Sequence, residues 1–216
     1  HLAVSGYRIT PLDYEGNIAV SAGIDGSSAN NPVPDDQLKS ESEVISLFNI
    51  DMVELYEENT AFMKLSTKSQ SIQIAEAICV SNADNFKKHT NICTEKFAGV
   101  QCCTYAKAGN AAVFDIFTSV YTSRDGLRDI EKAAKEASVQ AAVKGFDKVR
   151  AQSAAAWAAK WDMCDIDIDG DDLLQQGLRF NIFHLVSSNA EDDGRVSIGA
   201  RGLTHSRYKG CYFWDT

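Results

Sequence analysis

The sequence has no long hydrophobic run, no basic cluster and no paired-cysteine motif, and each absence removes a class of function. No apolar stretch approaches the ~20 residues that a membrane helix needs, so no membrane partner is expected. The formal charge is −9 and the basic residues do not cluster, which argues against a nucleic-acid or anionic-membrane surface. The six cysteines, Cys79, Cys93, Cys102, Cys103, Cys164 and Cys211, form no CxxC pair, so a zinc or thioredoxin-like site has little support. Free thiols in a reducing compartment fit better than a disulfide framework, and the expected localisation is cytoplasmic. Cys102 and Cys103 are adjacent and should point to opposite faces of a strand. His1, His89, His184 and His205 show no ligand spacing, and no metal is expected. The first ten residues, "HLAVSGYRIT", lack Met and the basic and apolar regions of a signal peptide. The last eight, "KGCYFWDT", stop on an aromatic–acid cluster where termini are usually polar. Both ends read as cuts through a longer chain.

What is present is an ordinary globular composition, 44% apolar and 24% charged over 216 residues, enough for one large domain or two small ones. Residues 1–124 have period-two character. "NIAVSAGID" puts Ile18, Val20, Ala22 and Ile24 on one face, and "SIQIAEAICV" does the same with Ile72, Ile74, Ile78 and Val80. "AAVFDIFTSVYTS" is apolar on both faces, with Val113, Phe117 and Tyr121 on one and Phe114, Ile116 and Val120 on the other. Turn-forming "DYEGN" and "KAGN" separate the strands, and the polar segment from Asp25 to Ser42 reads as a loop. Many strands and few helical stretches predict an antiparallel β-sandwich.

Periodicity then changes. Leu127, Ile130, Ala134, Ala137 and Ala141 recur at helical spacing, as do Phe146, Val149, Ala156 and Trp157, among alanines and charges. Gly145 is the expected break between two helices. A third helix is predicted where Leu174, Leu178, Ile182 and Leu185 form a stripe, with Gly177 inside it suggesting close packing. These three helices are too few for a helical domain and should need partners from outside the chain. Between them, "DIDIDGDDLLQQ" starts like a calcium loop, with Asp165, Asp167, Asp169 and Gly170 at the first, third, fifth and sixth positions. The twelfth position is Gln176 rather than a bidentate Glu, so the acids are expected to serve the helix, with Asp169 or Asp171 as its cap.

The paired tryptophans Trp157 and Trp161, then "DIDIDGD", "QQGLRFNIFHL", "ARGLT" and "FWDT", together resemble glycoside hydrolase family 65. "HLAVSGYRITPLDYEGNIAVSAGIDG" and "YTSRD" are similar, more loosely, to the family's N-terminal sandwich. The family holds inverting disaccharide phosphorylases, acting on maltose, trehalose, kojibiose, nigerose or glucosylglycerol, and some hydrolases. The resemblance implies a β-rich-plus-α fold: part of a β-sandwich at 1–124, a helical linker at 125–165, and the beginning of an (α/α)6 catalytic barrel at 166–216. It places Phe213, Trp214 and Asp215 at the subsite for the reacting glucosyl unit. An indole face can cover the C–H surface of a pyranose, and a carboxylate can accept from its hydroxyls. Without the resemblance, Trp214 reads as a core residue and Asp215 as a helix cap. Many family members carry His where Cys211 stands, and "RYKGCYFWDT" with Arg207 looks closer to the glucosylglycerol or kojibiose branches.

The resemblance implies single-step phosphorolysis of an α-linked glucose disaccharide or glucosylglycerol, releasing β-glucose 1-phosphate. The implied co-substrate is inorganic phosphate, with no cofactor, and the implied assembly is a homodimer. The general-acid Glu would lie beyond this chain, so no catalytic residue is assigned within it, and the chain alone is expected to be inactive. A hydrolase on the same fold, trehalase- or maltase-like, would need a second carboxylate to activate water. A non-catalytic carbohydrate-binding sandwich module is the third reading, opposed by the presence of helices with no sandwich role.

Overall fold

The structure, a computed structural model, describes residues 1–30, 45–81, 88–189 and 193–195. It divides into two units, His1–Ala151 and Gln152–Thr216.

The described residues of the first unit hold ten strands: β1 (Leu2–Ile9), β2 (Gly16–Asp25), β3 (Ala29–Asn30), β4 (Ile45–Ser46), β5 (Phe48–Glu54), β6 (Thr60–Thr67), β7 (Gln73–Ser81), β8 (Lys88–Cys93), β9 (Phe97–Ala106) and β10 (Ala112–Thr122). They form a five-stranded sheet in the order β1-β10-β7-β6-β5 and a three-stranded sheet β2-β9-β8. Of the short pair β3-β4, β3 falls inside the segment from Asp25 to Ser42 expected to be loop, and β4 follows that segment. Pairing is antiparallel throughout the described strands.

The two larger sheets pack face to face, because alternation gives each an apolar inner row. Ile24, Ala22, Val100 and Cys102 from one sheet meet Met63, Leu65, Ile78 and Val80 from the other. Cys102 is buried in this core while Cys103 on the opposite face is half-buried, as strand alternation requires. Burial pushes the Cys79 and Cys102 thiols up to about 11, so neither is a nucleophile at neutral pH.

The five-stranded sheet is also covered on its outer face. The helix α1 (Ile130–Lys144) lies there, with Ile130 and Ala134 against Phe62, Ala75 and Ala77. Ala141 meets Phe117 together with Val149 of α2 (Phe146–Cys164). This corrects the expectation that every helix needs an outside partner: α1 finds its own in the sheet. The contact is close because small residues stand on both sides. Ser119 of β10 donates to the Ala134 carbonyl at 2.6 Å.

Polar contacts fix where α1 docks. Lys64 pairs with Glu131 at 2.6 Å and Lys135 with Glu54 at 2.7 Å. The Lys135 ammonium also stands 4.4 Å from the Phe62 ring centroid, a cation–π distance. Ser138, which the apolar count passed over, is fully buried on this helix face. It donates to the Lys135 carbonyl and shares a 3.0 Å hydrogen bond with the Tyr56 hydroxyl. Burial raises the Tyr56 phenol above its ordinary value, the hydrogen bond to Ser138 opposing it.

Asp129 caps α1 by accepting from the Lys132 amide at 2.9 Å. Leu127 falls before the helix and is exposed. Gly145 ends α1 at φ 88°, a region open to glycine, and α2 starts at the next residue, so the expected break is present. The third helix, α3 (Asp172–Ser187), belongs to the second unit and has no buried residue among the described ones. No helix of the described residues is long and apolar enough to cross a membrane.

Two substitutions test the double-sided burial of the five-stranded sheet. Phe62→Ala, opening a cavity under α1, should lower unfolding free energy by about 3–5 kcal/mol. Ala77→Leu, which adds volume between helix and sheet, should cost about 1–3 kcal/mol. Urea unfolding of each against the parent protein checks both values.

Candidate functional site

The motif-bearing stretch that follows α2 folds into a strap held against α3. Residues 165–168 join neither helix nor sheet, so their backbone groups need other partners. Gln175, on the second turn of α3, supplies them. Its Oε1 accepts from the Ile168 amide at 2.6 Å and its Nε2 donates to the Ile166 carbonyl at 3.0 Å. One side-chain amide thus does what a neighbouring strand would do.

One turn further along α3, Arg179 takes the two acids. Its Nε and Nη2 donate to Asp165 Oδ1 and Oδ2 at 2.9 and 2.6 Å, and Nη2 also donates to Asp167 Oδ1 at 2.8 Å. The planar guanidinium suits this two-point grip on a carboxylate. The bond from Arg179 holds the Asp165 carboxyl below its ordinary value, and the acids raise the guanidinium in return. The cluster is open to solvent, so screening leaves it a geometric role more than an energetic one.

The acids of the calcium-like loop have a partner within the chain. Asp165 and Asp167, the would-be first and third ligands, are engaged by a cation of the protein itself. Among the described residues no group of three or more His, Cys, Asp or Glu side chains could hold a metal ion. Of the two expected caps, Asp171 is the one used, accepting from the Leu174 amide at 2.9 Å. Gly170 before it takes φ 88°.

The paired tryptophans have a packing reason. Trp157 and Trp161 are one turn apart on α2, with ring centroids 6.5 Å apart, and Trp157 reaches Phe183 of α3 at 4.9 Å. Trp161, Arg179, Phe180 and Phe183 border a hollow of about 530 Å³ that opens along α3. The predicted stripe is only half covered: Leu178 and Ile182 are half-buried, whereas Leu174 and Leu185 are exposed. Leu173 and Phe180, outside that stripe, are exposed as well, so α3 is apolar on more than one side. A side-chain carbon added at Gly177 would meet open space among the described residues, against the expected close packing there.

The sugar-site residues expected from the sequence, Phe213, Trp214 and Asp215, lie outside the described residues, as do Arg207, Cys211 and the "ARGLT" segment. The structure therefore brings together Trp157, Trp161, Asp165, Asp167, Asp171, Gln175 and Arg179. The roles of Gln175 and Arg179 were missed in the sequence. Alternating acids followed by a lone arginine in the next helix are a signal that could have found the second of them.

Gln175→Ala should speed hydrogen exchange at the Ile168 amide while leaving amides in the middle of α3 protected. Arg179→Met should raise the Asp165 carboxyl toward its ordinary value, which carboxyl carbon NMR titration would read. Because that value is depressed in the folded protein, the clamp contributes fully above the ordinary aspartate range. Its contribution is lost as pH falls through the depressed value.

Residues 1–160 match the family model "Glycosyl hydrolase family 65, N-terminal domain", and residues 179–216 match "Glycosyl hydrolase family 65 central catalytic domain". A kojibiose phosphorylase from Caldanaerobacter subterraneus subsp. tengcongensis is 32% identical over 100% of this chain and 28% of its own length. An alpha,alpha-trehalose phosphorylase from Thermoanaerobacter brockii is 30% identical over the same shares, 100% and 28%. A solved structure assigned as a kojibiose phosphorylase from the human microbiome superposes with a TM-score of 0.80 at 17% identity, covering 99% of this chain and 27% of that one. The chain thus spans little more than a quarter of the length of these relatives. With the N-terminal-domain model covering 160 of 216 residues, the chain belongs to glycosyl hydrolase family 65.

Proposed function

We propose that these residues are part of a glycoside phosphorylase that cleaves an α-linked glucose disaccharide or glucosylglycerol with inorganic phosphate. One observation supports this above others: relatives aligned over the full chain are named as kojibiose and trehalose phosphorylases. In the proposed division, 1–124 is sandwich, 125–165 linker and 166–216 the beginning of an (α/α)6 barrel. The proposed whole enzyme is a cytoplasmic homodimer that uses no cofactor.

The proposed reaction is one displacement with inversion. A carboxylic acid from the remainder of the catalytic domain protonates the glycosidic oxygen. Phosphate attacks the anomeric carbon from the opposite face as the C–O bond breaks, giving β-glucose 1-phosphate. Phosphate is already a nucleophile, so no second carboxylate is needed to activate water. Phe213, Trp214 and Asp215 form part of the glucosyl subsite in this reading. Trp214 stacks on the ring and Asp215 accepts from its hydroxyls. Cys211, where many members have His, bears on which acceptor the enzyme takes.

The test is a panel of α-glucosides offered to the full-length protein with and without inorganic phosphate. Phosphate-dependent release of β-glucose 1-phosphate is the expected result. Free glucose formed equally without phosphate would make the protein a hydrolase, and binding without turnover would favour a carbohydrate-binding module. Asp215→Ala in the full-length protein should lower kcat/KM about ten- to a hundred-fold, the ~1.5–3 kcal/mol of hydrogen bonds to a charged group. Part of the loss should fall on kcat. An Asp215→Ala enzyme with normal kcat/KM and normal melting temperature would mark Asp215 as a structural cap.

A further inference from the structure

A second hollow, of about 490 Å³, opens at one end of the sandwich. Its size lies in the range of small-molecule sites. Two hairpin tips from opposite sheets converge on it. The β6–β7 hairpin brings Lys68, and the β8–β9 hairpin brings Glu95 and Lys96. Phe48, Asn49 and Ile50, at the start of β5, complete its wall.

The rim is built on a fixed backbone. The Gly26 amide donates to the Lys96 carbonyl at 2.9 Å, and the Lys68 amide donates to the Leu47 carbonyl at 2.9 Å. A side-chain carbon at Gly26 would come within 2.7 Å of Met63 Sδ and 2.9 Å of Ile50 Cδ1, so this corner sits tightly on the core. Both lysines are thereby presented from anchored turns.

Lys64, Lys132 and Lys135 are in ion pairs. Among the described residues, no ion pair or hydrogen bond takes the ammonium of Lys68 or Lys96. Two ammonium groups with no partner among the described residues therefore border one hollow. Two such groups favour a doubly charged oxyanion. Glu95 and the Asn49 amide, also without partners among the described residues, suit hydroxyl groups, the first as acceptor and the second as both.

We propose that this hollow is a binding site for a small phosphate monoester with a hydroxylated body, of the hexose phosphate class. Lys68 and Lys96 hold the phosphate, and Glu95 and Asn49 meet the hydroxyls.

Calorimetric titration of glucose 6-phosphate into the full-length protein tests the site. Saturable binding is expected, weakened about tenfold or more in the double variant Lys68→Ala/Lys96→Ala, since two charge-assisted contacts are removed. Both lysines are exposed, so the melting temperature of the double variant should match the parent's. Glu95→Gln should weaken glucose 6-phosphate more than inorganic phosphate, because only the former offers hydroxyls to it. Equal affinity in the double variant and the parent would overturn the proposal. So would the absence of saturable binding up to about 10 mM, or an equal effect of Glu95→Gln on both probes.

Discussion

The five-stranded sheet is buried on both faces, and the rest of the first unit is arranged around that constraint. On β7, Ile78 and Val80 point to the opposing sheet while Ala75 and Ala77 point to α1. Large residues fill the wider gap between sheets, which pack roughly 10 Å apart. Small residues let a helix backbone come close. A strand with this division of sizes cannot slip by one residue, because every bulky side chain would then meet the helix and every alanine the sandwich core.

The helix face answers in kind. Ala134, Ser138 and Ala141 present little bulk, so hydrogen bonds and charges set the position of α1. The Ser119 bond to the Ala134 carbonyl and the Ser138–Tyr56 pair act at the centre, and Lys64–Glu131 and Lys135–Glu54 act at its sides. Half-exposed ion pairs contribute modestly. Here their value is directional: they select one azimuth for a helix whose apolar stripe is too shallow to select it alone. The Lys135 stem and ammonium also cover Phe62, closing the apolar layer from the solvent side.

The second unit uses a different economy of contacts. Its described residues contain no buried side chain on α3, and order comes from capping, from the Gln175 and Arg179 clamps and from the Trp157–Phe183 contact. A side-chain amide replacing a strand and a guanidinium gripping two carboxylates are local devices that need no deep core. The same acids that look like cation ligands in sequence are, in the structure, partners of Arg179 on the chain's next helix.

The strand character of β2, β7 and β10, the inward rows of the first two, the two-faced character of the third, the helix break at Gly145 and a cap at either Asp169 or Asp171 were legible in the sequence. Each rests on local periodicity or on backbone chemistry that acts within a few residues. The family was legible too, from motifs in the second half. What periodicity left open was partner choice. It gave α1 an apolar stripe but not the sheet that covers it, passed over Ser138 because a serine carries no hydrophobic signal, and left Asp165 and Asp167 without Arg179. Those outcomes depend on which surfaces meet after the chain has folded back on itself. A hydrogen bond between Tyr56 and Ser138, 82 positions apart, leaves no mark on the neighbours of either residue, and only the tertiary structure brings the two together.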